Sequence, residues 1–100
     1  MKKQNWIEEH NEKVEARYAG FCKDNPNRNA KIHEMKVTLA DETCKLVESL
    51  GYRYVRTSLS NFKTAGVITP MSSEGYIRVH LSTPRTHHSY QETNVYRKEA

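Results

Sequence analysis

Two short segments in the second half of the chain carry residues that suit the binding of an anion. Residues 54–60 read YVRTSLS and residues 76–82 read YIRVHLS, and four of the seven positions are identical. Each segment holds a tyrosine two residues before an arginine. Aromatic rings on a sheet can stack on unpaired bases, and arginines beside them can neutralise phosphate. This pattern favours a surface that binds nucleic acid.

Both segments are rich in β-branched and aromatic residues, which is typical of strands. Side chains alternate between the two faces of a strand. One face would carry the residues that we expect to pack against helices, namely Val55, Thr57, Leu59, Ile77, Val79 and Leu81. The other face would carry the tyrosines, the arginines and a histidine. With three nearby cations, these form the predicted nucleic-acid-binding set, which consists of Arg53, Tyr54, Arg56, Lys63, Tyr76, Arg78, His80 and Arg85.

The positive charge of the chain is concentrated in the same half. The formal net charge is +4. Residues 1–50 hold nine basic and nine acidic residues, whereas residues 51–100 hold seven basic and three acidic residues. All of the excess charge therefore belongs to the second half. This asymmetry predicts an anionic partner, which could be DNA, RNA or an acidic protein surface.

The sequence lacks the common motifs of catalysis and cofactor binding. It contains no P-loop, no glycine-rich dinucleotide turn and no nucleophile elbow. His80, His87 and His88 could supply a general base in a small ribonuclease or toxin, but their spacing matches no compact zinc site. We therefore expect a non-enzymatic protein with no catalytic residue, no metal and no other cofactor.

Apolar residues at helical spacing predict two helices in the first half. The first stripe consists of Ile7, Val14, Tyr18 and Phe21. A capping box at Asn5 and Glu8 begins this helix, and Asn25-Pro26 ends it. The second stripe consists of Ala40, Cys44, Val47 and Leu50, and Gly51 follows it as a stop. Residues 28–36 are ambiguous: Met35, Val37 and Leu39 alternate and could form a short strand, or they could lead into this second helix.

The predicted fold class is α+β. Residues 54–60 and 76–82 form two antiparallel strands, residues 65–69 a third, and residues 70–75 a turn. Two or three helices pack on one face of this small sheet. Residues 1–100 make a single domain, in which residues 84–100 form a polar C-terminal tail that is partly disordered.

A winged helix-turn-helix is the alternative fold. Val55, Leu59, Phe62 and Ala65 also fit a helical stripe, which a hairpin would follow. The major groove would then be contacted by Thr57, Ser58, Ser60, Asn61 and Lys63. The run from 57 to 61 is a poor helix former and residues 52–57 are good strand formers, so the sheet is favoured.

The sequence predicts a cytoplasmic protein without a membrane span. The N-terminal residues become acidic at Glu8 before a signal-peptide core could begin. No apolar run approaches the roughly 20 residues of a membrane helix. Cys22 and Cys44 lack ligand spacing and lie on apolar stripes, which is typical of buried, reduced thiols.

Two functions from different classes fit these features. The first is a small non-enzymatic nucleic-acid-binding protein that uses a basic, tyrosine-bearing sheet face. The second is a small inhibitor or adaptor, such as an anti-defence protein of a phage, that docks on an acidic surface or blocks a nucleic-acid-binding partner. A homodimer through an exposed edge strand, or through the helix that carries Trp6, is compatible with a core this small.

Overall fold

Two helices and a four-stranded sheet make up the described part of the computed structural model, which covers residues 5–61, 64–82 and 90–99. The elements are α1 (Asn5–Asp24), α2 (Asn29–Ser49), β1 (Tyr52–Asn61), β2 (Ile68–Pro70), β3 (Tyr76–His80) and β4 (Tyr90–Lys98). The strands pair antiparallel in the order β1-β4-β3-β2. The predicted α+β class is confirmed. The winged helix-turn-helix is excluded, because residues 52–61 are a strand.

Both helices pack on one face of the sheet. The main core cluster joins Ile7 of α1 and Val47 of α2 to Ile77, Val79 and Tyr96 of the sheet. A second cluster joins Val14, Leu39 and Val67. Leu39 lies in the stretch that the sequence left open between strand and helix. The stretch is part of the helix that begins at Asn29, and this helix buries Leu39 against Val14 of α1.

The segment expected as a polar tail contains a central strand instead. Residues 90–98 form β4, which pairs with β1 on one side and β3 on the other. The polar run from Gln91 to Asn94 conceals this strand, because it lacks the alternating apolar residues of a half-buried strand. Its polar groups are satisfied across the sheet: Thr93 Oγ1 lies 3.2 Å from Ser58 Oγ, and Asn94 Oδ1 accepts a hydrogen bond from Thr57. The prediction of a tail was therefore wrong for residues 90–98, and residues 84–89 lie outside the described part.

A β-bulge in β1 changes which residues face the helices. Tyr54 is opposite Tyr96, whereas Arg56 is opposite Val95, so Val55 is an extra residue in the strand. The bulge places Tyr54 on the helix side and Arg56 on the other side. Val55 and Leu59 were expected in the core, but 42% and 66% of their surfaces are exposed. Val55 is the extra residue of the bulge and shares a cleft with Arg53 and Arg97. Leu59 lies on the edge strand β1, of which no described side chain is buried in the core clusters.

His10 joins α1 to two other parts of the core. Its Nε2 lies 2.9 Å from Thr43 Oγ1 on α2 and 3.3 Å from the carbonyl oxygen of Gly66, just before β2. Burial lowers the pKa of His10 below its ordinary value of 6.5; the hydrogen bond to Gly66 opposes this shift, and nearby Lys13 adds to it. The folded protein therefore holds His10 neutral more strongly than the unfolded chain does.

We expect the His10→Gln variant to lose part of the acid sensitivity of the fold. Because the pKa of His10 is lower in the folded state, its contribution to stability is complete above about pH 6.5 and falls as the pH drops below that value. Denaturant unfolding at about pH 7.5 and about pH 5.5 should show a smaller fall in unfolding free energy for His10→Gln than for the original chain. An equal fall in both proteins would contradict this role.

Candidate anion-binding face

In the described part of the chain, four arginines lie on the surface of the sheet that faces away from the helices. Ile77 and Val79 point into the core shared with the helices, so alternate residues of β3 point the opposite way. Two rows run across the strands on that side. Arg53, Arg97 and Tyr76 are opposite one another in one row, and Arg56, Val95 and Arg78 are opposite one another in the next. We call the set of Arg53, Arg56, Arg78, Arg97 and Tyr76 the arginine face.

The structure brings half of the predicted binding residues together. Arg53, Arg56, Tyr76 and Arg78 lie on the arginine face. Lys63 and Arg85 lie outside the described residues. Tyr54 and His80 are described, but neither takes the exposed position on this face that alternation predicted.

Tyr54 belongs to the opposite side of the sheet. Its ring meets that of Tyr96 edge-on, with 6.1 Å between the centroids. Its hydroxyl lies 2.8 Å from Thr57 Oγ1 on the same side. The physical cause is the bulge at Val55, which reverses the alternation between Tyr54 and Arg56. Among the side chains that the structure describes, Tyr76 is therefore the aromatic ring of this face that could stack on a base.

His80 is on the correct side of β3 but is buried, with 1% of its surface exposed. Its Nε2 lies 2.8 Å from Thr69 Oγ1 of β2, and its Nδ1 lies 3.2 Å from Ser60 Oγ of β1. Opposite His80, the small side chain of Thr93 lies on the strand between β3 and β1. The ring thus helps to hold three strands together, and a ligand at the surface would not reach it.

Arg97 is the site residue that sequence reasoning missed. It lies on β4, in the segment interpreted as a tail, and no motif marks it. The pairing of Arg53 with Arg97 puts like charges directly opposite each other, an arrangement that costs on the order of 0.2–1 kcal/mol. An anion held between the two guanidinium groups would remove that repulsion. The two arginines also line a cleft of about 360 Å³, together with Val55 and Glu99.

Glu99 is the acid that contacts the arginine face in the described structure. Its Oε2 lies 3.0 Å from Arg53 Nη1, and both side chains are more than half exposed. Exposed pairs of this kind contribute little to stability, so the pairing is easily exchanged for another anion. Counted over the described residues, four arginines and Glu99 give the face a charge of about +3 at neutral pH.

Arg78 is held more firmly than the other arginines. It is half-buried, and its Nε is covered and has no hydrogen-bond partner among the described residues. Val95 and Thr69 are its cross-strand neighbours. A side chain packed in this way loses little rotamer freedom on binding, which favours a bound anion at its guanidinium group.

Lys98 shows how the register separates the cations of β4. Its Nζ donates a hydrogen bond to the carbonyl oxygen of Leu50 and lies 5.1 Å from the centroid of the Tyr52 ring. Lys98 therefore lies on the helix side, where it binds the carbonyl oxygen at the C-terminal end of α2. A cleft of about 390 Å³ lies there beside Trp6 and Tyr52, but it mixes Glu9 with Lys13 and Lys98. Because acidic and basic side chains are mixed there, this cleft favours neither anionic nor cationic ligands, whereas the arginine face favours anions.

Other classes of site have little support in the described structure. Among residues 5–61, 64–82 and 90–99, no group of three His, Cys, Asp or Glu side chains could hold a metal ion. Neither described helix is long and apolar enough to cross a membrane. His87 and His88, which the sequence offered for a ribonuclease, lie outside the described residues.

No protein-family model, curated protein or solved structure matches this chain. The function of the chain is therefore inferred from the chemistry of the arginine face.

Proposed function

We propose that this protein binds nucleic acid without modifying it, through contacts of the arginine face with phosphates. The observation that carries this proposal is the pair of cross-strand rows that collects Arg53, Arg97, Arg56 and Arg78 on one side of the sheet. Guanidinium groups are planar and remain charged at all physiological pH values. They can donate two parallel hydrogen bonds to a phosphate.

The dimensions of the face suit a short stretch of a nucleic-acid strand. The arginines occupy three neighbouring strands, which span about 10 Å at roughly 4.8 Å per strand. One strand of a duplex carries a phosphate about every 3.4 Å along its axis. About three phosphates therefore fit within the face. Binding should accordingly depend on salt, with a slope in log affinity of roughly −2 to −3 per chain.

Tyr76 adds one stacking position to these charges. A base stacked on a tyrosine contributes roughly 1–3 kcal/mol, largely independent of its identity. With Tyr54 on the helix side, phosphate contacts dominate the proposed interaction. We therefore propose weak sequence preference, and an advantage for strands with unpaired bases.

A direct binding assay tests this function. We expect the protein to retard labelled single-stranded DNA, duplex DNA or duplex RNA at low salt, and to do so less at higher salt, with all probes intact after incubation. Failure to bind any of the three probes would contradict the proposal. Cleavage would contradict its non-enzymatic part and would support the ribonuclease hypothesis.

The second candidate is an inhibitor or adaptor that docks on an acidic protein. It is favoured by Val55, an exposed apolar side chain in the same cleft as Arg53 and Arg97. Arginine beside apolar surface is common in protein interfaces. This function predicts binding to an acidic protein that oligonucleotides do not displace, whereas the first predicts competition.

We also propose a reducing, cytoplasmic location for this activity. Cys22 and Cys44 are free thiols on α1 and α2, and burial raises the pKa of Cys44 above its ordinary value. Free cysteines that form no disulfide are compatible with a reducing compartment.

A further inference from the structure

Glu99 has its backbone fixed beside the arginine face. It follows Lys98, the last residue of β4, and lies two residues beyond Arg97, so strand alternation directs both side chains to the same side. Its N–H donates a hydrogen bond to the carbonyl oxygen of Gly51 at 3.0 Å, and the N–H of Lys98 donates one to the carbonyl oxygen of Gly75 at 2.7 Å. These bonds hold the backbone of Glu99 in place, whereas its side chain remains more than half exposed.

The carboxylate of Glu99 lies in the cleft between the two opposed arginines. Arg53 Nη1 donates a hydrogen bond to Glu99 Oε2 at 3.0 Å, and Arg97 lines the same cleft. Carboxylates and phosphates are both oxyanions that accept hydrogen bonds from guanidinium groups. A phosphate that accepts a hydrogen bond from this N–H of Arg53 must therefore displace Glu99.

The contact between Arg53 and Glu99 is weak enough to be exchanged. The exposed fraction is 77% for the Arg53 side chain and 55% for the Glu99 side chain. Water and salt screen a pair that is exposed to this extent. Among the described residues that line the cleft, the charges of Arg53, Arg97 and Glu99 sum to about +1, and without the carboxylate they would sum to about +2.

We propose that Glu99 is an internal competitor for the anion site between Arg53 and Arg97, and that it limits the affinity of the arginine face for phosphate. In the free protein the carboxylate partly neutralises Arg53, and in the complex a phosphate replaces it. The face therefore neutralises fewer phosphates than its four arginines would allow, which also reduces the salt dependence of binding. For oligonucleotides this inference rests on the proposed function, whereas competition in the cleft applies to any oxyanion.

The Glu99→Gln variant tests this competition, because glutamine keeps the size of the side chain and removes its charge. We expect this variant to bind labelled single-stranded DNA roughly three- to tenfold more tightly than the original chain at about 0.1 M salt. Its slope of log affinity against log salt should be steeper by up to about 0.9. Fluorescence anisotropy at several salt concentrations measures both quantities.

Glu92→Gln is the matched control, since it removes the same charge from the same strand. Glu92 is exposed and lies on the helix side with Asn94, which contacts Cys44 of α2. It is about 23 Å from Glu99 along β4, at roughly 3.3 Å per residue. Salt screens a charge at this distance, so the control should stay within about twofold of the original affinity.

Titration with inorganic phosphate measures the competition without nucleic acid. Nuclear magnetic resonance shifts of the backbone amides of Arg53 and Arg97 report binding in the cleft. We expect Glu99→Gln to bind inorganic phosphate severalfold more tightly than both the original chain and the Glu92→Gln control. Circular dichroism should show that all three chains are folded, because the hydrogen bond from Glu99 to Gly51 involves only the backbone.

The two probes separate this inference from the proposed function. Equal affinities of Glu99→Gln and Glu92→Gln for both probes would overturn the competition, and if the original chain still bound oligonucleotide, the proposed function would stand without it. Tighter binding of inorganic phosphate by Glu99→Gln, with no binding of oligonucleotide by any of the chains, would support the competition and contradict the proposed function.

Discussion

Replacement of Arg53, Arg56 and Arg97 by glutamine will weaken nucleic-acid binding roughly a hundredfold at about 0.1 M salt and will make the remaining binding less sensitive to salt. Each phosphate that an arginine neutralises releases counterions and contributes about 0.7–0.9 to the slope of log affinity against log salt. Loss of three such contacts should reduce the slope by about 2 to 3. The three residues are exposed on the sheet surface, so the fold should persist. Fluorescence anisotropy of a labelled oligonucleotide at several salt concentrations measures both quantities.

A variant with the same loss of charge elsewhere provides the control for this experiment. Lys23, Lys31 and Lys45 are exposed on the two helices, away from the arginine face. Their replacement by glutamine lowers the net charge by the same three units. We expect this control to keep most of the affinity and most of the salt slope. Equal slopes for the two triple variants would mean that general charge, and not the arginine face, determines binding.

The second large effect concerns the stability of the fold and is expected from Gly66→Ala. Gly66 has a φ of +89°, a conformation that costs an L-residue about 1–2 kcal/mol. A Cβ added there would lie 3.0 Å from the carbonyl oxygen of Leu39 and 3.1 Å from its carbonyl carbon. These are backbone atoms of α2 and cannot rotate away. We expect a loss of about 2 kcal/mol or more, a large share of the stability of a small domain.

The surroundings of Gly66 leave little room for relaxation. Its N–H donates a hydrogen bond to the carbonyl oxygen of His80 at 2.7 Å, and its own carbonyl oxygen lies 3.3 Å from His10 Nε2. A shift of the loop to accommodate a methyl group would weaken both interactions. Urea unfolding should therefore show a clearly lower midpoint for Gly66→Ala.

Gly20→Ala is the matched control for that measurement. Gly20 lies in α1, and a Cβ there would meet no atom within 4 Å. Alanine is the better helix former, so this variant should gain about 0.5–1 kcal/mol. A Gly66→Ala midpoint equal to that of the original chain would contradict the close approach between this loop and α2.

The helices and two of the strands were accessible to prediction because their signals are local. The stripe from Ile7 to Phe21, bounded by Asn5 and Pro26, contains what is needed to define α1. The β-branched and aromatic composition of residues 54–60 and 76–80 likewise identified β1 and β3. Residues 28–36 and the alternating Met35, Val37 and Leu39 were ambiguous, since burial of Leu39 against Val14 and Val67 depends on contacts between distant parts of the chain.

The candidate site was predicted in part, and its errors arise from contacts of β4 with distant strands, which the local sequence does not show. Arg56, Tyr76 and Arg78 followed from strand alternation within short segments. Tyr54 was placed on the wrong side because a bulge against β4 interrupts that alternation. Arg97 was missed because β4 carries a polar run that is satisfied by Ser58 and Thr57 of β1, across the sheet.

The sequence by itself determined the α+β class, both helices, the strands β1 and β3, and the excess of positive charge in the second half. Only the tertiary structure decided that β4 lies between β1 and β3, that Arg97 joins Arg53, that Tyr54 lies on the helix side of the sheet and that His80 is buried. The physical reason is that periodicity and propensity act over a few neighbouring residues. The register between distant strands is set instead by the packing and hydrogen bonding of the whole sheet.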